Sequence, residues 1–472
     1  MAGGARGTVG GSQDVLLISF VLRMGIGMLI TSTLVRVLDV PSFGFVAYVG
    51  TLLLLLHVAM DGGTGIVATR EIAANPNAEP ELLGRLLGFR LVSGGLVAAA
   101  LACTAWLEPD ATRRSVILST ALVAPILAFG GASVPLQVRQ RLRGPALTGV
   151  VTQAAVLVLL LCLPFGSDSL PFVAAAGLLL LREVVNTWST VLLARRACGF
   201  LPWPRFGAQM WHFARLAWPQ GRFALLQASW FHADVFLVRV LCGDVVLAEY
   251  AAAYRPVGPL LFIPGMLVLP LVPVLAAATE TDARLRVRQL SAIMLGLGSL
   301  GCVAAVLAPE ALLGLLYSAE VASVATTVDS LRWLGVAFLL AFVSTPLLTA
   351  LVALRRERWL LLVGVAALLL NVLSNLLFTP AAGAVSAAAI TAATEACVAV
   401  GALWIWRRQH GSPFSHLALQ SLVPAVLLAP VLLLLDLNGV GVLLATGIAG
   451  FLLLALPAVR RARAELRALG RS

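Results

Sequence analysis

Charge is scarce in this sequence: 12% of its 472 residues are charged, against about 25% in an ordinary soluble domain. So few polar groups cannot dissolve a chain that is 60% hydrophobic, which excludes a water-soluble globule. Lysine is missing altogether, and all 33 basic residues are arginine, a mark of codon usage. The six cysteines (Cys103, Cys162, Cys198, Cys242, Cys302 and Cys397) stand singly, most of them in or beside apolar runs. Without a CxxC or metal-ligand spacing they read as small core residues, not as a redox, disulfide or metal site. The five histidines are equally dispersed. There is no GxxxxGK[ST] phosphate loop, and no segment between apolar runs is long enough to hold a nucleotide domain. Nothing in the sequence asks for a cofactor.

What the chain has is apolar length. Its mean hydropathy is +0.97, and runs of about 20 apolar residues, the length that crosses a hydrocarbon core as a helix, recur from end to end. Cutting these runs at turn and charge signals predicts fourteen spans, near 15–37, 43–62, 87–107, 115–137, 145–164, 170–194, 216–240, 247–275, 289–308, 328–353, 359–378, 382–406, 417–435 and 439–459. The opening MAGGARGTVGGSQD is glycine-rich, and the run after it is too long for a signal sequence, so it is expected to remain as the first span. With the N-terminus inside, the inner segments carry 22 arginines and the outer loops only Arg113 and Arg114. Arginine accumulates on the cytoplasmic side, so the expectation is a multi-pass protein of the cell (cytoplasmic) membrane with both ends cytoplasmic. The net charge of +11 therefore belongs to the membrane surface and not to a nucleic acid.

The pentapeptide LVRVL occurs at 34–38 and again at 237–241, each time at the outer end of a predicted span, the first and the seventh. Tyr48 and Tyr250 follow the two copies at similar offsets. The fourth and tenth spans also correspond, each with a proline (Pro135, Pro346) before an arginine-rich inner turn. A six-helix repeat has an even number of crossings, so both copies run the same way and are related by a pseudo-twofold axis along the membrane normal. The predicted fold class is an all-α polytopic membrane protein of 14 transmembrane helices. Two six-helix bundles form an N-terminal lobe (1–204) and a C-terminal lobe (205–410), and 411–472 adds two helices and a basic tail.

Residues 35–75 resemble the opening signature of the oligosaccharide (polysaccharide) flippase family: an R-x-L-x-x-x-x-F-G turn (Arg36, Leu38, Phe43, Gly44), then a D-x-G…R-x-x-A segment (Asp61, Gly63, Arg70, Ala73). Residues 234–254 resemble the family's segment around its seventh and eighth helices, with Asp234, Glu249, Tyr250 and Ala253 in place. A P-E-x-L-L-x-L-L-Y stretch at 309–317, an Asn-bearing helix (Asn371, Asn375) and an Ala-rich helix bearing Glu395 follow in order. One departure is Val246–Leu247, where the family usually has a glycine. The resemblance places the chain in the superfamily that also holds multidrug exporters and lipid II flippases. It implies two six-helix bundles forming a V and a substrate carried on a polyprenyl-pyrophosphate lipid. The partners it implies are glycosyltransferases inside and a polysaccharide polymerase or ligase outside.

A charge at the bilayer centre costs on the order of 2.5–3.5 kcal/mol even on mild scales, so charges within spans need a reason. Nine arginines fall within or near them. Arg36, Arg239 and Arg332 sit near outer ends, and Arg90 and Arg215 near inner ones, where snorkelling suffices. Arg182 and Glu183 are adjacent and read equally as a structural pair or as a substrate contact. Arg23, Arg222 and Arg255 are harder to place, and they are the candidate substrate-binding residues, because guanidinium forks match phosphate oxygens. Pro256, Pro259, Pro264 and Pro270 predict a kinked or unwound helix after Arg255. Asp61, Asp234 and Glu395 would pair these arginines (Arg23–Asp61 and Arg222–Asp234 are the candidate pairs) or bind a proton or Na⁺ that drives turnover.

The reading these features favour is not an enzyme but a flippase working by alternating access, moving lipid-linked oligosaccharide from the inner to the outer leaflet for surface polysaccharide biosynthesis. An ion-coupled drug exporter and a lipid II flippase are alternatives on the same fold. A membrane glycan polymerase or ligase is an alternative of another class, disfavoured by the short outer loops.

Overall fold

Two helical hairpins in this protein reverse at single glycines. The computed structural model describes residues 6–162, 170–199, 203–268, 275, 279–354, 357–414, 416–435, 437–456 and 459, and every regular element among them is a helix. In chain order these are α1 (Arg6–Val37), α2 (Val40–Asp61), α3 (Thr64–Ala74), α4 (Glu79–Ala105), α5 (Ala111–Leu127), α6 (Val134–Val138), α7 (Arg143–Leu161), α8 (Leu170–Cys198) and α9 (Ala208–Val257). There follow α10 (Ile263–Val268), α11 (Glu280–Leu307), α12 (Pro309–Leu316), α13 (Ala319–Ala322), α14 (Ala325–Ala353), α15 (Glu357–His410), α16 (His416–Leu434) and α17 (Gly439–Ala455). Ten helices among the described residues are long and apolar enough to cross a membrane. The basic tail from 460, Arg355 and Arg356 lie outside the described residues, as does Pro270.

Within α9, Gly243 takes φ 83 and ψ −177, and within α15 Gly383 takes φ 59 and ψ −137. Such angles are open to glycine and strained for residues with a Cβ. The consequence is a reversal without a loop. Asp234 and Tyr250 are 16 residues apart yet hydrogen-bonded, although a straight helix would hold them about 24 Å apart. Across Gly383, the Asn371 amide reaches the Thr394 hydroxyl at 3.3 Å, 23 residues on.

The chain divides into two compact units, Met1–Ser229 and Trp230–Ser472, with the boundary inside α9. In the first, α1 packs on α7, α4 on α2 and α5, and α8 on α5 and α7. Asp61-Gly62-Gly63 makes the turn from α2 to α3. Gly62 (φ 50) caps α2 through its N–H to the Val58 carbonyl, and Gly63 (φ 77) opens α3. Backbone meets backbone here: a Cβ on Gly63 would lie 2.5 Å from the Gly221 nitrogen, and one on Gly221 2.2 Å from the Gly62 oxygen. Small residues permit this close approach, which drives helix association where lipid removes the hydrophobic drive. The start of α9 is fixed beside it by Phe213 and Ala217, buried among Val67, Ile72, Leu83 and Leu87. Arg139, in the turn after α6, makes a two-pronged pair with Glu79 of α4, one arm at 2.6 Å, which holds the guanidinium pKa above its ordinary value.

In the second unit α11 packs on α14, and α14 on α15. The last two helices cover α11, where Ile293 and Leu300 lie in one apolar cluster with Leu428 of α16 and Leu453 of α17. The proline-rich stretch after Arg255 unwinds as its composition predicts: α9 ends at Val257, a 3₁₀ turn covers Gly258–Phe262, and α10 resumes.

Candidate functional site

Burial of charge marks the candidate site in the second unit. Asp234, on the first half of α9, is 1% exposed. A carboxylate so buried is costly unless donors surround it. Here the Tyr250 hydroxyl donates to its Oδ2, the Thr391 hydroxyl lies 3.1 Å from the same oxygen, and the Val235 N–H donates to Oδ1 at 2.9 Å. These donors come from both halves of α9 and the second half of α15, so the carboxylate ties two glycine-turned hairpins together. One helical turn further along each element lie Tyr254 and Glu395, spaced i, i+4 from Tyr250 and Thr391. The Tyr250 and Tyr254 rings stack at 5.9 Å. Glu395 is 3% exposed, and no described group hydrogen-bonds its carboxylate. Tyr254 is within electrostatic reach of Asp234, Glu395 and Arg255, so three of the six candidate residues converge around one ring. Arg255 is half-buried and also within reach of His232 and Tyr317, whose hydroxyl donates to the Ala252 carbonyl at 3.1 Å.

Beside this network, on α15, a ladder of side chains holds the hairpin. Asn375 donates to the Asn371 carbonyl at 2.9 Å, and the Thr379 hydroxyl donates to the Asn375 side-chain oxygen at 2.8 Å. Asn371, Asn375 and Thr379 are each fully buried.

In the first unit the candidates separate. Arg23 is exposed on α1, and its guanidinium lies flat against Gly149 of α7, 3.3 Å from where a Cβ would be. Asp61 is paired with Arg90 of α4, not with Arg23. Its Oδ1 also accepts the Gly65 N–H at 3.0 Å. The reason is local: the Gly62–Gly63 turn aims the carboxylate back at the first turn of α3, and Arg90 reaches it from the neighbouring helix. Arg90 is therefore an ion-pair partner and not a snorkelling side chain. Arg222 is exposed on α9, next to the Gly221 contact. Asp234, its suggested partner, is engaged by Tyr250 and Thr391. Arg239 likewise pairs with Asp244 across the Gly243 turn at 2.8 Å, and Arg332 with Asp329 at 2.7 Å.

Residues 14–279, more than half of the chain, match the family described as polysaccharide biosynthesis protein. The chain belongs to that family. No curated protein matches its sequence. Among solved structures it is similar to the lipid II flippase MurJ in an inward closed conformation, with a TM-score of 0.68 at 12% identity over 96% of this chain and 99% of that one. It is also similar to a mutant of the Vibrio cholerae MATE transporter VcmN, with a TM-score of 0.54 at 15% identity over 87% of this chain and 97% of that one. The polysaccharide biosynthesis family member thus has the all-helical fold of a flippase and a transporter, and it is a multi-pass membrane protein.

Several functional-looking groups escape a reading by charge alone. Tyr254 and Thr391 are neutral, and single neutral polar residues are common in apolar helices. The available signal was pairing at i, i+4 within one span, as in Tyr250–Tyr254, Thr391–Glu395 and Asn371–Asn375.

Proposed function

We propose that the protein flips a polyprenyl-pyrophosphate-linked oligosaccharide from the inner to the outer leaflet of the cytoplasmic membrane, supplying surface polysaccharide biosynthesis. The observation that carries the reading is Arg23: a guanidinium exposed within an apolar span, with no ion pair or hydrogen bond among the described residues. A charge left open at that depth faces water or a ligand, because facing lipid is too costly. A diphosphate supplies paired oxygens that a guanidinium fork fits. Family membership and the likeness to a protein named a lipid II flippase support a lipid-linked substrate.

In this reading the chain crosses fourteen times with both ends cytoplasmic, and lobes 1–204 and 205–410 alternate access about a pseudo-twofold axis. Arg23, Arg222 and Arg255 hold the diphosphate in turn. Asp61 is a structural partner of Arg90, while Asp234 and Glu395 balance Arg255 or take up the H⁺ or Na⁺ that drives turnover. Glycosyltransferases supply the substrate, and a polymerase or ligase consumes it.

The test is surface polysaccharide output in a strain lacking the gene, complemented with wild type, Arg23→Ala, Arg255→Ala or Arg255→Lys, with membrane levels checked by blot. Export is expected to fall at least tenfold in both alanine variants at normal protein levels. Full export in both would remove these arginines from the substrate site. Unchanged polysaccharide in the deletion strain, with no second flippase gene, would overturn the function itself.

A further inference from the structure

A second polar cluster sits at mid-span in the first unit, on helices that carry none of the candidate substrate-binding or charge-pairing residues except Arg23. Arg182 and Glu183 lie near the centre of α8, and both Nε (3.0 Å) and Nη2 (2.5 Å) of Arg182 donate to one carboxylate oxygen of Glu183. One turn along, the Asn186 side-chain oxygen accepts from the Thr152 hydroxyl of α7 at 2.7 Å. Beside Thr152, the Gln153 amide donates to the Arg23 carbonyl at 2.8 Å. Arg23 is itself within electrostatic reach of Arg182 and Glu183. Three helices, α1, α7 and α8, thus bring two guanidinium groups, a carboxylate, two amides and a hydroxyl to one place.

Two facts distinguish this cluster from a structural clamp. The first is exposure: Arg182 and Glu183 keep 25% and 18% of their side-chain surface open, and Arg23 more. At mid-span that surface opens onto water-filled volume, since hydrocarbon would penalise each charge by about 2.5–3.5 kcal/mol. The second is unused capacity. Among the described residues, the second Glu183 oxygen, the Asn186 amide nitrogen, the Gln153 side-chain oxygen and the Arg23 guanidinium have no hydrogen-bond partner. The open groups therefore include both donors (Arg23, Asn186) and acceptors (Glu183, Gln153), and Glu183, Asn186 and Gln153 are held in place by the bonds their other atoms make. A phosphate accepts only and would leave the Glu183 and Gln153 oxygens repelled. A sugar hydroxyl both donates and accepts, and a ring of adjacent hydroxyls meets such a mixed surface.

We propose that Glu183, Asn186 and Gln153 form a glycan-reading subsite that contacts sugar hydroxyls of the lipid-linked substrate, with Arg23, seated on Gly149, at its edge toward the diphosphate. This assignment rests on the lipid-linked oligosaccharide reading above and adds the wall that senses the sugar.

The test is binding to the full-length chain in lipid nanodiscs with two probes: a polyprenyl diphosphate carrying a trisaccharide, and the same lipid diphosphate without sugar. The wild type is expected to bind the glycosylated probe at least tenfold more tightly. Glu183→Gln and Asn186→Ala are each expected to bring that affinity ratio toward one. A ratio that neither variant changes overturns the subsite, as does a wild-type ratio near one while both probes bind; the diphosphate reading survives either result. A purely structural cluster would weaken both probes together and leave the ratio intact. If neither probe binds the wild type, the substrate reading and the subsite fail together. Should Asn186→Ala unfold, the nearly isosteric Glu183→Gln alone decides.

Discussion

Asp61 shows how a single carboxylate is satisfied inside a membrane protein. Its pairing with Arg90 and the Gly65 N–H leaves neither charge open to lipid, and both side chains are mostly covered, at 26% and 14% exposure. Removing one partner of such a pair strands the other. Arg90→Ala is expected to destabilise the protein by about 3 kcal/mol, whereas the neutral double change Asp61→Asn with Arg90→Gln loses less. Melting temperatures of the purified variants check the order, and equal losses would mean the pair is not coupled. The sequence marked Asp61 as needing a cation but suggested the wrong one. Arg23 and Arg90 are both arginines in apolar runs, and only the angle at which the Gly62–Gly63 turn leaves α2 chooses between them. Asp234 is the same case. Its charge was conspicuous in the sequence, and Tyr250 was marked by its place in the signature. That a tyrosine and a threonine, and not Arg222, satisfy it depends on two hairpins closing on each other.

At the level of helices, apolar length carried most of the information. Ten helices among the described residues are long and apolar enough to cross a membrane, and predicted spans lie over them because hydrocarbon thickness sets helix length regardless of which side chains fill it. The predicted span 247–275 instead covers the end of α9, a 3₁₀ turn and α10, and runs on outside the described residues. Polar helical segments are less legible: α4 begins at Glu79, well before the apolar run near 87, and α3 falls between the predicted spans 43–62 and 87–107. The apolar pattern places both reversals, between 240 and 247 and near 378–382, but does not show that a single glycine makes each turn. Between 240 and 247 the chain needs only Gly243, because glycine alone reaches φ 83 with ψ −177 at low cost. Gly243→Ala and Gly383→Ala are therefore each expected to cost about 1–3 kcal/mol, although Gly243 has nothing within 4 Å for a methyl to strike. Thermal denaturation of both variants measures this. A neutral Gly243→Ala would show that the hairpin is free to turn elsewhere.

For the whole molecule, the 22-to-2 distribution of arginines over the predicted segments predicts a sidedness that the cysteines can report. Cys103, in the last turn of α4, and Cys162, just after α7, are both exposed and lie at predicted outer ends, and Cys198 ends α8 at a predicted inner end. In intact cells, variants keeping one native cysteine each are expected to react with a membrane-impermeant thiol reagent at Cys103 and Cys162. Cys198 is expected to react only after permeabilisation. The reverse pattern would invert the topology and with it the direction of transport. The central proposal, that this helical membrane protein moves a lipid-linked glycan between leaflets, is tested most directly by reconstitution. Purified protein in vesicles, loaded in one leaflet with a polyprenyl-diphosphate oligosaccharide, would be followed by the access of an added glycan-cleaving enzyme to the opposite leaflet. The account predicts transfer at least tenfold faster than in protein-free vesicles, lost in Arg23→Ala and Arg255→Ala. Transfer no faster than in empty vesicles, with or without a proton or sodium gradient, would contradict it.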